Sequence, residues 1–519
     1  MIKTALTKIA VVGFFPLVCS LQPALTPIAL AQEAASNLVT KTQIAQSDPL
    51  ANTPIKLVEQ ANSLREQNQL DRALALYRQA IATNPNFVPA YYGLGVALRQ
   101  RGDIQGAIDA HQRAIAIDKN YILAYYGLGI ALYQKGDADG AINAYTQFIQ
   151  KSKADTNLAP AYYNLGLAHD RRRNTEGAIA SFRKAIEFDP QYALAYNGLG
   201  TVLRRQGNRK EAIASYRKAI ELAPQYAVAH FALGISFYED RDYGNAIAAY
   251  QKVIDIDANF PNVYYNLGLA YNQINDRKNA IATFQKASQQ DPRNADVYAA
   301  LGSALLREDN IPEAVVAFQR STEINPKLAS TFNGLGLALR RQGRLEEAIA
   351  AYDRSLEIDP KYAAAYNNLG RVLSDQNRTP EAIEAFKKAI AIDGRNAVAY
   401  SNLGNLLRSQ GNSDDAIAAF KKTIEIGKED LWIDYTSLGL AYADRGRLGE
   451  AQDAYFKALS LNADFAKAHF GLGALYTLKG DVSNAIRAYR DALKLYEESR
   501  DVEWIKRTQQ AIQALQGIT

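Results

Sequence analysis

The chain has 519 residues, 48% hydrophobic and 22% charged, a balance that excludes a disordered polymer. Its formal charge is +5, or +3 (57 basic against 54 acidic) without the first 31 residues, too little to hold nucleic acid by bulk charge. The single cysteine, Cys19, lies in that leader, so the remainder has no disulfide, thiolate metal site or cysteine nucleophile.

Met1–Ala31 carries Lys3 and Lys8, an apolar run from Ile9 to Leu21, and Ala29-Leu30-Ala31 before Gln32. A positive start, a short apolar core and an Ala-x-Ala end predict a secretory signal peptide cleaved near Ala31. Pro16 interrupts the run, which falls short of the ~20 apolar residues that cross a bilayer. Pro16-Leu17-Val18 before Cys19 also matches a lipidation site poorly. Export to the periplasm or the extracellular envelope is therefore expected, with no transmembrane segment after cleavage. Residues 32–53, rich in Ala, Thr, Gln, Ser and Asn, read as a flexible linker.

From residue 54 to 498 one unit recurs. In Ala193–Tyr226 it reads Tyr196, Leu199-Gly200, Leu203, then Gly207-Asn208, Ala212, Tyr216, Ala219 and Pro224. The glycine equivalent to Gly200 returns at Gly95, Gly129, Gly166, Gly234, Gly268, Gly302, Gly336, Gly370, Gly404, Gly439 and Gly473. The spacing is 34 residues except for 37 before Gly166 and 35 before Gly439. A second ruler of alanines, Ala73 to Ala485, adds a first unit in which Ala61 replaces the glycine, making thirteen. The extra residues, at Ala154–Leu158 and Lys428–Leu431, fall between units.

Each unit predicts two amphipathic helices, A and B. Gly200 and Ala212 are small because helices at 8–10 Å spacing leave no room for a branched side chain. Gly207 supplies the left-handed residue that ends helix A, and Pro224 stops helix B. Pro85, Pro190, Pro224, Pro292, Pro326 and Pro360 close units, while Pro89, Pro160, Pro261, Pro312 and Pro380 fall in first turns, where proline is tolerated. Asp501–Leu515 places Val502, Ile505, Ile512 and Leu515 on one face and reads as a C-terminal capping helix within residues 499–519.

This pattern resembles the tetratricopeptide repeat (TPR) family, W-x2-L-G-x2-Y, then A-x3-F, then P, with tyrosine usually in the first place. The resemblance implies an all-α, right-handed superhelical solenoid whose A helices line a concave groove. It implies a non-enzymatic scaffold that binds protein or peptide partners.

Little in the sequence competes as chemistry. His230 and His469 replace the first tyrosine, His169 a second large residue and His111 the helix B aromatic, all packing positions. Gly-Leu-Gly, as at Gly198–Gly200, follows no strand and lacks the third glycine of a dinucleotide loop. Asp170, Glu239, Asp240 and Asp375 are dispersed along the chain and do not read as a metal site. No cofactor and no metal are expected.

The groove positions implied by the resemblance are the residues after the first aromatic. The first of these gives Tyr92, Tyr126, Tyr163, Asn197, Phe231 and Tyr265, so its first half should be aromatic. Such rings either bind peptide or pack between helices. A basic stripe of Arg99, Arg171, Arg204, Arg205, Arg307, Arg340, Arg341, Arg371 and Arg408 overlaps it. These arginines either take an acidic ligand or complement helix C-terminal dipoles. The lysine of the chaperone-tail clamp is missing, and the asparagine ladder of the sugar-transferase type is matched by Asn164, Asn266, Asn368 and Asn402. The sequence thus predicts a binding scaffold for assembly of envelope or membrane complexes, or a recruiting arm of a separate glycosyltransferase or protease.

Overall fold

The computed structural model describes residues 53–153 and 157–517. The expected signal peptide, the expected linker up to residue 52 and residues 154–156 of the first insertion lie outside them. Among the described residues the chain forms 27 α-helices and no strand. They alternate A and B through thirteen repeats, and Val502–Gln516 follows.

The fold divides into a unit ending at Asp276 and a unit beginning at Arg277. In the first, helices A are Pro54–Glu66, Val88–Gln100, Ile122–Lys135, Ala159–Arg171, Ala193–Gln206, Ala227–Glu239 and Val263–Gln273. In the second they are Ala295–Arg307, Ala329–Arg341, Ala363–Asp375, Ala397–Ser409, Leu431–Asp444 and Ala466–Leu478. Within each unit a helix A packs on its own helix B, on the preceding B and on the next A.

Local sequence sets the helix ends. Gly207 stops Ala193–Gln206 at φ 91°, and its N–H bonds the Arg204 carbonyl at 3.0 Å. Helix B then starts on a side-chain cap in several repeats. Asp103, Asp137 and Asn174 accept the N–H three residues on, at 2.9, 2.8 and 3.0 Å.

The core is a file of helix B rings, each seated on small A-helix residues. A Cβ at Gly200 would lie 2.8 Å from Tyr216 Cε1, and one at Gly198 would lie 2.7 Å from Phe182 Cε1. Gly-Leu-Gly is therefore a double seat: one glycine faces the ring of its own repeat, the other that of the repeat before. Tyr77, Tyr145, Phe182, Tyr216, Tyr250, Phe284, Tyr352, Phe386, Phe420 and Tyr455 are among the largest fully buried side chains.

Two expectations are corrected. Pro261 precedes its helix rather than opening it, because Asn262 adopts a left-handed conformation (φ 60°) and the helix starts at Val263. In the C-terminal helix Val502 points outward, 76% exposed. Ile512 and Leu515 of that helix are buried, and Trp504 adds to the seal, stacked on Tyr496 at 5.4 Å and edge-on to Phe470 at 5.0 Å.

Candidate functional site

The position after the first aromatic is occupied as expected, but its rings are not free. Tyr126, Tyr163 and Phe231 are buried. Each packs on the helix B ring of its own repeat: Tyr145 at 5.9 Å, Phe182 at 5.8 Å and Tyr250 at 5.7 Å. Tyr92, Tyr163 and Phe231 also meet an aromatic just before the next helix A: Tyr121 at 5.7 Å, Tyr192 at 5.4 Å and Phe260 at 5.0 Å. Asn197 follows the same geometry, with Nδ2 3.4 Å from the Tyr226 hydroxyl. Tyr92 and Tyr265 remain partly exposed. The rings of Tyr92, Tyr163 and Phe231 thus pack between repeats and that of Tyr126 within its own, because the chain supplies a partner for each.

The asparagines also turn inward. Asn164 Nδ2 donates to the Tyr126 hydroxyl at 2.9 Å, and Asn266 Nδ2 to the Asn262 carbonyl at 2.9 Å. Asn368 donates to Asn333 Oδ1 and Asn402 to Asn367 Oδ1, both at 2.9 Å. The amides of Asn164, Asn368 and Asn402 tie one helix A to the helix A before it.

The arginines follow a rule of their own. Four residues after the packing glycine, an arginine reaches forward to an acid five residues after the next packing glycine. Arg204 meets Glu239 at 2.5 Å, Arg340 meets Asp375 at 2.7 Å and Arg408 meets Asp444 at 3.2 Å. Five residues after the glycine, an arginine reaches back to the end of the previous helix A. Arg205 pairs with Asp170. Arg171 donates to the Tyr133 carbonyl at 2.6 Å, and Arg341 to the Leu306 carbonyl at 2.8 Å and Asp309 at 2.6 Å. Most of the basic stripe is therefore a ladder between repeats. Two of its backward rungs, Arg171 and Arg341, also cap carbonyls in the last turn of a helix A, in line with the dipole expectation. Arg307 is exposed at the end of its helix.

An open cleft of about 260 Å³ lies on this face in the second unit. It is walled by Arg340, Arg371, Ser374, Asp375, Phe386, Asn402, Asn405, Leu406 and Ser409. Burial, then the charge of Arg340, holds the Arg371 guanidinium below the usual arginine range. Asn405 projects into solvent. The cleft can offer guanidinium and amide donors to a polar or acidic segment.

The histidines behave as packing residues with local bonds. His230 Nε2 lies 3.0 Å from the Pro224 carbonyl and His469 Nε2 2.9 Å from the Ala463 carbonyl. His111 is fully buried, and neither ring nitrogen has a hydrogen-bond partner among the described residues.

Family models for tetratricopeptide repeats match residues 58–122, 126–193, 191–259, 439–480 and 468–503. The model of the C-terminal domain of cilia and flagella-associated protein 70 matches 228–432. The chain is a tetratricopeptide-repeat protein. A comparison with curated proteins finds no match. Among solved structures it is similar to the APC/C hetero-tetramer Cut9-Hcn1 (16% identity, 88% of this chain and 97% of that one, TM-score 0.41). It is also similar to yeast Tom70 (17%, 76% and 96%, TM-score 0.35). A third is YrrB, described as a TPR protein with an unusual peptide-binding site (27%, 36% and 95%, TM-score 0.33).

What sequence reasoning missed in this TPR chain was the partner of each groove residue. Two signals were present: an aromatic before many A helices (Phe87, Tyr121, Tyr192, Phe260) and acids 35 residues after Arg204 and Arg340.

Proposed function

We propose that this TPR protein is a non-catalytic scaffold that holds a peptide or protein segment against its A helices. The observation that carries the reading is the cleft around Arg371, Asn402 and Asn405. There the inter-repeat bonding leaves a guanidinium and an exposed amide facing open space. An acidic or carboxylate-ended segment suits those donors. No cofactor or metal enters this reading.

The leader supports a further element, that the scaffold is exported and serves assembly of envelope or membrane complexes. N-terminal sequencing of the exported protein should begin near Gln32; an intact Met1 would remove this element. Crosslinking in the native envelope, followed by partner identification, tests the scaffold itself. Capture should fall in Arg371→Gln/Asn405→Ala. If the variant captures the same partners equally well, the cleft is not the site. A captured partner that is a glycosyltransferase or protease would favour the recruiting-arm role.

A further inference from the structure

The arginine ladder is broken in the first two repeats. By the forward rule, the arginine four residues after the packing position meets an acid in the next repeat. Repeats 1 and 2 place Arg65 and Arg99 at that rung. The answering positions are 100 and 134, and both hold glutamine, exposed to solvent. Arg65 and Arg99 are nonetheless half-buried. The Nε of Arg65 is buried without a hydrogen-bond partner. Its closest carboxylate, Glu66, stands 3.9 Å from Nη2, outside hydrogen-bond range, and is 69% exposed. The charged and titratable neighbours of Arg99 are Tyr92, Tyr145, Tyr126, Arg65 and His111, with no acid among them. The helices that carry the two arginines, Pro54–Glu66 and Val88–Gln100, pack on each other. Asp71, an acid of the same repeat, is engaged by Arg101 at 3.3 Å.

Two partly desolvated guanidinium groups on helices that pack together, with one solvent-exposed carboxylate at 3.9 Å from one of them and none hydrogen-bonded, are an unfavourable arrangement for a stack to keep. Everywhere the forward rung is filled, the same side chain has its carboxylate. We propose that Arg65 and Arg99 form an oxyanion site that receives two neighbouring carboxylates of an acidic peptide lying across helices A of repeats 1 and 2. Each planar fork can take one carboxylate through paired N–H donors, replacing the acid missing at 100 or 134. The proposal rests on the peptide-binding reading above and assigns it a second contact point.

Calorimetry on the full chain tests it with three probes: hexaglutamate, hexaglutamine and inorganic pyrophosphate. Hexaglutamate should bind and hexaglutamine should not. Arg65→Gln/Arg99→Gln should weaken hexaglutamate binding about tenfold or more, while Arg183→Gln/Arg445→Gln, which removes equal charge elsewhere, should not. The complementary variant Gln100→Glu/Gln134→Glu supplies the missing rungs. It should raise the unfolding temperature and abolish hexaglutamate binding together. Unchanged affinity in either the arginine or the glutamate variant would overturn the proposal. Tighter binding of pyrophosphate than of hexaglutamate would overturn the assignment to carboxylates. If these fail while Arg371→Gln/Asn405→Ala still loses its envelope partner, the scaffold reading stands without this site. If hexaglutamate behaves as expected but no partner is captured, the scaffold reading fails separately.

Discussion

Arg204 Nη1 lies 2.5 Å from Glu239 Oε1, 35 residues along the chain, and the two side chains are only 15% and 24% exposed. The separation is one residue more than the repeat period, so the bond joins successive repeats and not equivalent positions. Arg204→Gln should cost about 1–2 kcal/mol, because it leaves a poorly solvated carboxylate without its partner. Glu239→Gln should cost a similar amount, and the double variant less than the sum by about 1 kcal/mol. Additive single-variant shifts in the denaturation midpoint would show that the pair is not coupled. Reversing Arg204, Arg205, Arg340 and Arg341 to glutamate would also break the ladder, so lost partner capture in that variant would not isolate binding.

The second insertion holds a buried charge. Asp434 takes the place filled by alanine in many repeats and is fully buried. Its Oδ1 accepts the Ser401 hydroxyl at 2.7 Å, and Lys428 Nζ lies 2.7 Å from its Oδ2. Lys428→Met should cost about 3 kcal/mol, since it strands a buried carboxylate. Adding Asp434→Ala to that variant should recover most of the loss, by removing the charge that needed an answer. A double variant as unstable as Lys428→Met would refute this account.

His111 makes the first unit acid-sensitive. It replaces a helix B ring, and Gly95 and Gly127 grip it so closely that a Cβ on either would come within 2.6 Å of Cε1. Burial first, and the Arg99 charge second, lowers its pKa from 6.5 to about 3. The unfolded chain therefore takes up a proton below pH 6.5 that the folded chain refuses until about pH 3. Stability from this group is complete above pH 6.5 and falls as pH drops, by about 1.4 kcal/mol per pH unit once well below 6.5. His111→Phe restores an uncharged ring and should flatten the unfolding temperature between pH 6.5 and 4 relative to the parent. Parallel curves for the two proteins would exclude the effect.

Gly200→Leu should destabilise by about 1–3 kcal/mol through overpacking. Even one added carbon would stand 2.8 Å from Tyr216. The denaturation midpoint reports it, and an unchanged midpoint would contradict the seating of ring on glycine.

The fold was legible because its determinants are periodic. Gly200, Ala212 and Tyr216 recur in phase, and the structure uses them at the seat and the ring as that phase implies. The face was less legible because its contacts run between repeats at other offsets. Tyr163 looked like a groove residue until Tyr192, 29 residues later, covered it. Arg204 looked equally suited to a ligand or a dipole, since the acid that answers it sits out of phase by one place. Periodicity identifies equivalent positions; it does not say which inequivalent ones touch.

The ladder also gives each unit two joints of different kinds. Ring-on-glycine contacts are apolar and insensitive to ions, whereas the arginine rungs lie along the C-terminal ends of the A helices and are partly open to solvent. Added salt screens the second and not the first. Neighbouring repeats would then stay seated while the strap at one edge slackens, so the bending stiffness of the stack becomes a function of ionic strength. A segment held against the A helices would be gripped by a spring whose tension the surrounding electrolyte sets.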